Sequence, residues 1–310
     1  MNKERPNLHF ETKNKYFFSV LIALLPMILY GFYKNGILPY LNNDISIITV
    51  FRPLLFLLIG VTIGVLIPRI AKERMKKENA WIYPLYGLMI SMTLPIQMNP
   101  ILIIIVQSII LWGAIFFRKK ISPLFLGITL LGAIAILCKI SYLNGSEQSH
   151  IVMYSILDIF FGRNIGGICS TSIFWCLISY IFLLFNPYYK RDIPIYILVT
   201  YIIMALLFEM LIPSGDLLKT ILNSTVFFGS IFIAAEIQFS PYMEKGKMIY
   251  GIMTGISTFL LTRLLALEIG IYISIMINSL LVPVFDRIAI KIEEKKHNFC
   301  RTNKKRNFIV

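Results

Sequence analysis

Charged residues are scarce in this chain of 310 residues. Asp, Glu, Lys and Arg make up 15% of it, whereas soluble domains carry about 25%. Apolar residues make up 57% and the mean hydropathy is +0.75. They gather in runs of roughly 17–25 residues, the length that a helix needs to cross a bilayer. These features exclude an ordinary soluble domain and predict an all-α polytopic membrane protein.

Cysteine and histidine are also rare, with four and three residues. No cysteines form a CxxC pair, and no histidine has a partner at metal-ligand spacing, so we expect neither a disulfide framework nor a metal site. No small-residue cleavage site follows the first apolar run, so we expect no cleavable signal peptide. No group of residues indicates a catalytic centre.

Ten apolar runs predict about ten transmembrane helices. Their bounds are Tyr16–Tyr33, Ile45–Ile70, Ala80–Ile96, Pro100–Phe117, Ser122–Cys138, Ser172–Phe185, Ile193–Ile212, Thr220–Gln238, Met248–Leu267 and Gly270–Phe285.

Basic residues alternate along the chain. The N-terminal segment, every second loop and the C-terminal segment hold 24 of the 30 Lys and Arg residues. Because Lys and Arg in short loops mark the cytoplasmic side, both termini are predicted to be cytoplasmic. The net charge of +14 then belongs mainly to that face and to its anionic lipids, which argues against a nucleic-acid partner. Residues 287–310 are predicted to be a basic cytoplasmic tail, solvated and disordered.

The ten spans are predicted to form one transmembrane domain, 1–286. An even division gives two halves, 16–138 and 172–286. Five spans in each half would give inverted repeats, whose sites lie at their interface. The outer segment 139–171 joins the halves. Its apolar and Gly-rich parts fit either a re-entrant segment or an outer loop with a surface helix.

Several stretches of sequence occur in a recognisable order. They are "RPNLHFETKNKYFFSVLIALLPMILYGFY", "AWIYPLYGLMISMTLPIQMNP", "LDIFFGRNIGGICSTSIFWCLISYIFLLFNPYYKRDIPIYILVTYI", "STVFFGSIFIAAEIQFSPYMEKGKMIYG" and "YISIMINSLLVPVFDR". In order and spacing they resemble the D-type membrane subunit of the Rnf-type electron-transport complex and the related B-type membrane subunit of the sodium-pumping NADH:quinone reductase. The resemblance extends over essentially the whole chain, which looks like a divergent member of that family.

The resemblance implies a membrane subunit of an ion-coupled electron-transport complex in a prokaryotic cell membrane, with other membrane subunits as partners. The chain itself is at most one subunit of an oxidoreductase or translocase. In the family, FMN is attached to a threonine in an Asp-x-x-Ser-x-Ala-Thr segment. Here "LNGSEQS" aligns Ser149 with that threonine, but Leu143 and Gln148 replace the aspartate and the alanine. The covalent motif therefore looks lost, and the expected cofactor is FMN or riboflavin held without a covalent bond.

Four polar residues inside the predicted spans are candidates for function, because polar groups in lipid are costly. Arg52 is expected either to snorkel to the interface or to bind a flavin phosphate or lipid head group. Asn278 is expected either to form an interhelical hydrogen bond or to contact an ion or a flavin. The same alternatives apply to Thr225, whose hydroxyl can also bond its own helix. Glu236 aligns with a family aspartate and is either an ion-coupling residue or a boundary residue.

Two other functions stay open at this point. One is a small-molecule or ion permease without redox chemistry. The other is a redox-silent structural subunit that anchors other membrane components. A Gly-x-x-x-Gly pair, Gly251 and Gly255, predicts close helix packing and has little bearing on this choice.

Overall fold

The structure of the protein is a computed structural model. It describes residues 10–43, 45–70, 82–116, 155–164, 166–213, 217–236, 240–264 and 269–306. Regular structure in these ranges is entirely helical, as the composition predicted.

The elements are numbered here in chain order. They are α1 (Phe10–Phe32), the π-helical segment π1 (Tyr33–Ile37), α2 (Leu38–Leu41), α3 (Ile47–Val50), α4 (Arg52–Ile70), α5 (Ile82–Thr93), α6 (Pro100–Phe116), α7 (Ile156–Phe161), α8 (Ile173–Leu184), α9 (Asp192–Leu211), α10 (Leu217–Ile221), α11 (Ser224–Phe228), the π-helical segment π2 (Gly229–Ala234), α12 (Glu244–Leu264) and α13 (Gly270–Arg306).

Five helical stretches in the described part of the chain are long and apolar enough to cross a bilayer. This confirms the class of a multi-pass helical membrane protein. The total of ten spans stays a prediction, because the fifth predicted run, Ser122–Cys138, lies outside the described residues. The five stretches are Lys15–Leu41, Arg52–Ile70, Asp192–Leu211, Leu217–Ala234 and Gly270–Glu294.

Two of the predicted spans are not plain helices. In the third, α5 ends at Thr93 and the chain turns at Leu94, where Pro95 cannot continue the helix as a donor. The eighth is interrupted at Asn223, whose side chain accepts a hydrogen bond from the Thr225 backbone N–H and starts a new helix. That helix then widens into π2. Apolar runs alone did not reveal these breaks, because each run continues as hydrophobic sequence within a few residues of the break.

The C-terminal segment also differs from the expectation. α13 continues from the last predicted span to Arg306 without interruption, over 37 residues. At 1.5 Å per residue it is about 55 Å long, almost twice the thickness of a hydrocarbon core. The prediction of a disordered tail over 287–310 was therefore wrong for residues up to Arg306.

Close glycine contacts bring two pairs of helices together. A Cβ atom on Gly87 of α5 would overlap the carbonyl oxygen of Gly60 in α4. On α12, a Cβ on Gly251 would overlap Cβ of Tyr196, and one on Gly255 would lie 2.7 Å from Cβ of Thr200. Both of those partners belong to α9, so the packing role predicted for the Gly-x-x-x-Gly pair is confirmed.

Candidate functional site at the unwound end of π2

The described chain unwinds inside the protein where π2 ends. Ala234 and Ala235 are almost fully buried, and Ala235 leaves the helical conformation. Glu236 follows, with only 4% of its surface exposed. π-Helical turns are rare and occur frequently at functional sites. The sequence placed Glu236 at a helix end, but the structure shows that this end is surrounded by protein.

Three buried tyrosines from different helices lie in the region of the Glu236 carboxylate, and one of them contacts it. The Tyr86 hydroxyl of α5 donates a hydrogen bond to Oε1 of Glu236. Tyr16 of α1 and Tyr250 of α12 lie close enough to interact with its charge, and both are buried. A buried carboxylate is costly unless protonation, hydrogen bonds or a nearby cation stabilise it, so the neighbours of Glu236 determine its charge state.

A buried lysine joins the same network through Ser240. Lys190, 8% exposed, donates hydrogen bonds to the Ser240 carbonyl oxygen at 2.8 Å and to its Oγ at 2.7 Å. The Ser240 hydroxyl in turn donates to the main-chain carbonyl of Glu236 at 2.5 Å. The Lys190 ammonium also lies 4.2 Å from the ring centroid of Tyr242. Lys190 therefore holds the chain in place at Ser240, on the C-terminal side of Glu236.

A second anchor holds π2 itself. Tyr189, next to Lys190, donates from its hydroxyl to the carbonyl oxygen of Ile231 at 2.8 Å. Burial raises the pKa of the Tyr189 hydroxyl well above its usual value, so this group stays protonated and remains a donor. The short loop before α9 thus contacts π2 and the residues after it at two adjacent positions.

Carboxylates and histidines do not assemble into a metal centre in the described ranges, where no three His, Cys, Asp or Glu side chains come together. A cation at Glu236 would instead be held by one carboxylate with hydroxyl and carbonyl oxygens. Such oxygen ligands suit a hard monovalent or divalent cation, and unwound helix ends supply them in membrane transporters.

Arg52 lies at the start of α4, and its guanidinium contacts the chain that follows α5. It donates through a guanidinium nitrogen to the carbonyl oxygen of Met98 at 3.2 Å. The same guanidinium lies 5.6 Å from the ring centroid of Phe56. Arg52 thereby anchors the turn that follows α5.

The other two nominated polar residues have different surroundings. Thr225 bonds the Asn223 side chain at the start of α11, with Oγ1 2.6 Å from Oδ1. Asn278 of α13 donates to Oγ of Ser257 on α12 at 2.9 Å, so the interhelical hydrogen bond is the alternative that the structure shows. Neither of these bonds reaches Arg52 or Glu236, and the four candidates do not form one site.

Ser149 lies outside the described residues, as does most of the segment 139–171. The described part of this segment contains α7 and a turn at Gly162, whose φ of +85° favours glycine. The chain then runs without regular structure against the end of α5. The N–H groups of Ile168 and Cys169 donate to the carbonyls of Leu94 and Met92 at 2.9 and 3.0 Å. This irregular backbone is buried in protein, the condition under which it is tolerated at membrane depth.

Sequence reasoning missed Tyr86 and the role of Lys190. Tyr86 sits inside an apolar run with nothing to distinguish it, and Lys190 was counted only as a loop charge. Their partners lie 150 and 50 residues away in the chain. No local pattern reports such a contact.

Comparison with known proteins identifies the family. The family model described as "NQR2, RnfD, RnfE family" matches residues 124–294. That range is more than half of the chain and contains Lys190, Glu236 and Asn278. The chain belongs to the NQR2, RnfD, RnfE family.

Two curated relatives of this family member show moderate similarity. The D-type subunit of the ion-translocating oxidoreductase complex of Methanosarcina acetivorans is 29% identical over 107 residues, which cover 34% of this chain and 35% of that protein. The D-type subunit of the Na(+)-translocating ferredoxin:NAD(+) oxidoreductase complex of Acetobacterium woodii is 29% identical over 139 residues, 44% of this chain and 42% of that protein. The alignments thus span less than half of either relative.

Proposed function

We propose that this protein is a membrane subunit of an ion-coupled electron-transport complex of the Rnf or Nqr type, working with other membrane subunits in a prokaryotic cell membrane. The observation that carries the proposal is the buried carboxylate of Glu236 at the unwound end of π2, inside the range matched by the family model. Both relatives are named for ion translocation and oxidoreduction, which agrees with the proposal.

Glu236 is the residue that we assign to the coupling ion. Its carboxylate is positioned by the Tyr86 hydroxyl, and its main chain is held by Ser240. Burial favours the neutral or neutralised form of a carboxylate, so we propose that Glu236 exchanges a proton or a cation at this position. Exchange between those two states is a physical basis for coupling ion movement to another event in the complex.

The proposed arrangement in the membrane is a pair of inverted five-helix repeats with both termini in the cytoplasm and anionic lipids at that face. Its support is a matching pair of contacts. Arg52, at the start of the second predicted span, donates to the Met98 carbonyl after the third. Lys190, just before the seventh, donates to the Ser240 carbonyl after the eighth. Equivalent contacts at equivalent places are what a repeat produces.

A flavin, FMN or riboflavin, belongs to the proposal as the cofactor that the family resemblance implies. Arg52, Thr225 and Asn278 hydrogen-bond to separate protein partners, so none of them is assigned to a flavin in this proposal. No step is therefore assigned to a flavin here. Visible absorbance and intact mass of the purified protein, with peptide mapping at Ser149, test whether a flavin is bound and whether it is covalent.

The ion assignment is tested by reaction with a hydrophobic carbodiimide, which modifies protonated carboxyl groups. The complex is purified from its native membranes and treated with and without Na⁺, and the peptide containing Glu236 is quantified by mass spectrometry. We expect labelling of Glu236 that Na⁺ or higher pH suppresses, and no labelling in Glu236→Gln. A Glu236 that stays unlabelled under all conditions, while Glu244 at the start of α12 reacts, would contradict the assignment.

The complex itself is tested by affinity purification of the tagged chain in mild detergent. We expect other membrane subunits to copurify and the preparation to transfer electrons in an ion-dependent manner. Solute uptake by proteoliposomes that contain this chain alone, without an electron donor, would instead support a permease. Copurifying subunits with no electron transfer would support the redox-silent structural alternative.

A further inference from the structure

A cleft of about 880 Å³ opens at the end of α1 that is opposite to its N-terminus. One wall is formed by α1 and π1, and the other by α7, the turn after it and α8. Its volume lies within the range of about 300–1,000 Å³ that is typical of ligand sites. None of the residues assigned above to ion coupling belongs to it.

Aromatic rings from three elements form a continuous wall of this cleft. The Tyr30 ring lies 6.3 Å from that of Trp175, Trp175 lies 5.2 Å from Phe174, and Phe174 lies 5.3 Å from Phe161. Aliphatic side chains of α1, including Leu29, complete the surface. Leu29 is 69% exposed, so the cleft opens on an exposed face of α1.

Two cationic side chains lie together at one end. Lys34 donates to the main-chain carbonyl of Asn164 at 2.5 Å and to Oγ1 of Thr171 at 2.9 Å. Arg163 precedes Asn164 in the chain, so its backbone is fixed beside the Lys34 ammonium. Arg163 pairs with Asp158 at 3.6 Å, but its side chain remains 69% exposed. The positive charge at this end is therefore accessible to an anion.

Depth in the membrane decides what kind of anion meets the cleft. The candidate span that contains most of α1 runs from Lys15 to Leu41, and Lys34, directly after the apolar run Tyr16–Tyr33, lies 19 residues after Lys15. At 1.5 Å per residue the two are roughly 28 Å apart, close to the thickness of the hydrocarbon core of about 30 Å. Lys34 and Arg163 thus lie at the level of lipid head groups, while Leu29 and Tyr30 lie at the level of acyl chains. Tyr and Trp are also typical of this boundary.

We propose that this cleft is a binding site for one anionic phospholipid, with its phosphate at Arg163 and Lys34 and an acyl chain along the wall formed by Leu29, Tyr30 and Trp175. The site lies in the leaflet opposite to the one where α1 begins. It is separate from the ion site at Glu236, and it does not depend on the function proposed for the chain.

A phospholipid fits the cleft better than a flavin does. An isoalloxazine ring carries several carbonyl and ring-nitrogen groups that need hydrogen-bond partners once they are buried. The walls are mostly apolar and offer few such partners. A phospholipid needs only apolar walls for its chain and cations for its phosphate, and the cleft supplies both.

The test uses the complex purified in mild detergent and stripped of loosely bound lipid. Phosphatidylglycerol or phosphatidylcholine with identical acyl chains is added, and retained lipid per chain is measured by native mass spectrometry. Three variants are compared with the wild type. Arg163→Gln removes the accessible charge, Leu29→Trp fills the apolar part at an exposed position, and Arg69→Gln is the matched control at the end of α4, outside the cleft.

We expect one tightly retained phosphatidylglycerol per chain and weaker retention of phosphatidylcholine. Arg163→Gln should bind phosphatidylglycerol about tenfold more weakly, as expected for loss of one charge-assisted contact. Leu29→Trp should weaken both lipids, and Arg69→Gln should change neither. Equal retention of both lipids by the wild type, or equal effects of Arg163→Gln and Arg69→Gln, would overturn the proposal. So would a flavin mass that Leu29→Trp and Arg163→Gln both remove, because the occupant would then be the flavin.

Discussion

The turn after α5 and the turn after π2 are anchored in the same way but differ in charge. Arg52 donates to the carbonyl of Met98 in the first, and Lys190 donates to the carbonyl of Ser240 in the second. The first is uncharged, since neither α5 nor residues 94–99 contain an acidic residue. The second contains the buried Glu236 and is held by a cation that is itself buried. The two turns therefore share a type of anchor, and only the second also contains an acidic residue.

The largest difference in unfolding free energy is expected from substitutions of the glycines that precede the two turns, Gly87 and Gly229. A Cβ on Gly87 would meet the Gly60 backbone, which cannot move without separating α4 from α5, whereas one on Gly229 of π2 would meet the Ile271 side chain at 2.7 Å. Gly87→Ala should cost about 3 kcal/mol of unfolding free energy and Gly229→Ala about 1 kcal/mol. Thermal unfolding in detergent measures both. Equal losses would show that the two segments are packed alike.

The next largest difference in stability is expected between substitutions of the two basic residues that anchor the turns, Lys190 and Arg52. Lys190→Met removes two hydrogen bonds from a buried ammonium and should cost about 1.5–3 kcal/mol, while Arg52→Met removes one from a half-buried guanidinium and should cost about 0.5–1.5 kcal/mol. Methionine preserves most of the apolar stem in each case. Unfolding in detergent, measured on both variants together, gives the difference. A larger loss of unfolding free energy for Arg52→Met than for Lys190→Met would contradict the proposed difference between the two turns.

Two substitutions of Glu236 separate the effect of its charge on stability from the effect of its hydrogen bond with Tyr86. Glu236→Leu leaves the buried Tyr86 hydroxyl without its acceptor and should cost roughly 1–2 kcal/mol. Glu236→Gln keeps an acceptor oxygen and should cost less, although it abolishes the carbodiimide reaction. The comparison is made by thermal unfolding, with Tyr86→Phe as the reciprocal change. If Gln were as damaging as Leu, the charge itself would stabilise the fold.

The smallest effect is expected at Tyr189. Tyr189→Phe removes the hydrogen bond to Ile231 and should cost about 1 kcal/mol. Because the pKa of Tyr189 is raised in the folded state, its contribution is complete below the unfolded pKa of about 10 and is lost above it. The difference between wild type and variant should therefore be constant from about pH 6 to 9 and shrink at higher pH. A difference that grows with pH would contradict this sign.

The sequence predicted the parts of the site that depend on local composition. The apolar run, the acid near its end and the basic residues after the sixth span were all visible, and so were Arg52 and Asn278 as polar residues in lipid. The interhelical bond of Asn278 was one of two stated alternatives, and the structure shows it with Ser257. The widening of π2 and the turn at Leu94 were not foreseen, because both occur within sequence that is hydrophobic throughout.

Hydrophobic length and the distribution of basic residues by themselves determined that this is a helical multi-pass membrane protein, because apolar helices and the charges between them are set by residues close in sequence. Tertiary structure alone decided that Glu236 is buried against Tyr86 and that Lys190 is an anchor. These contacts join elements that are 50 to 150 residues apart. Burial of a charge depends on the packing of all those elements, so no single segment of the chain encodes it.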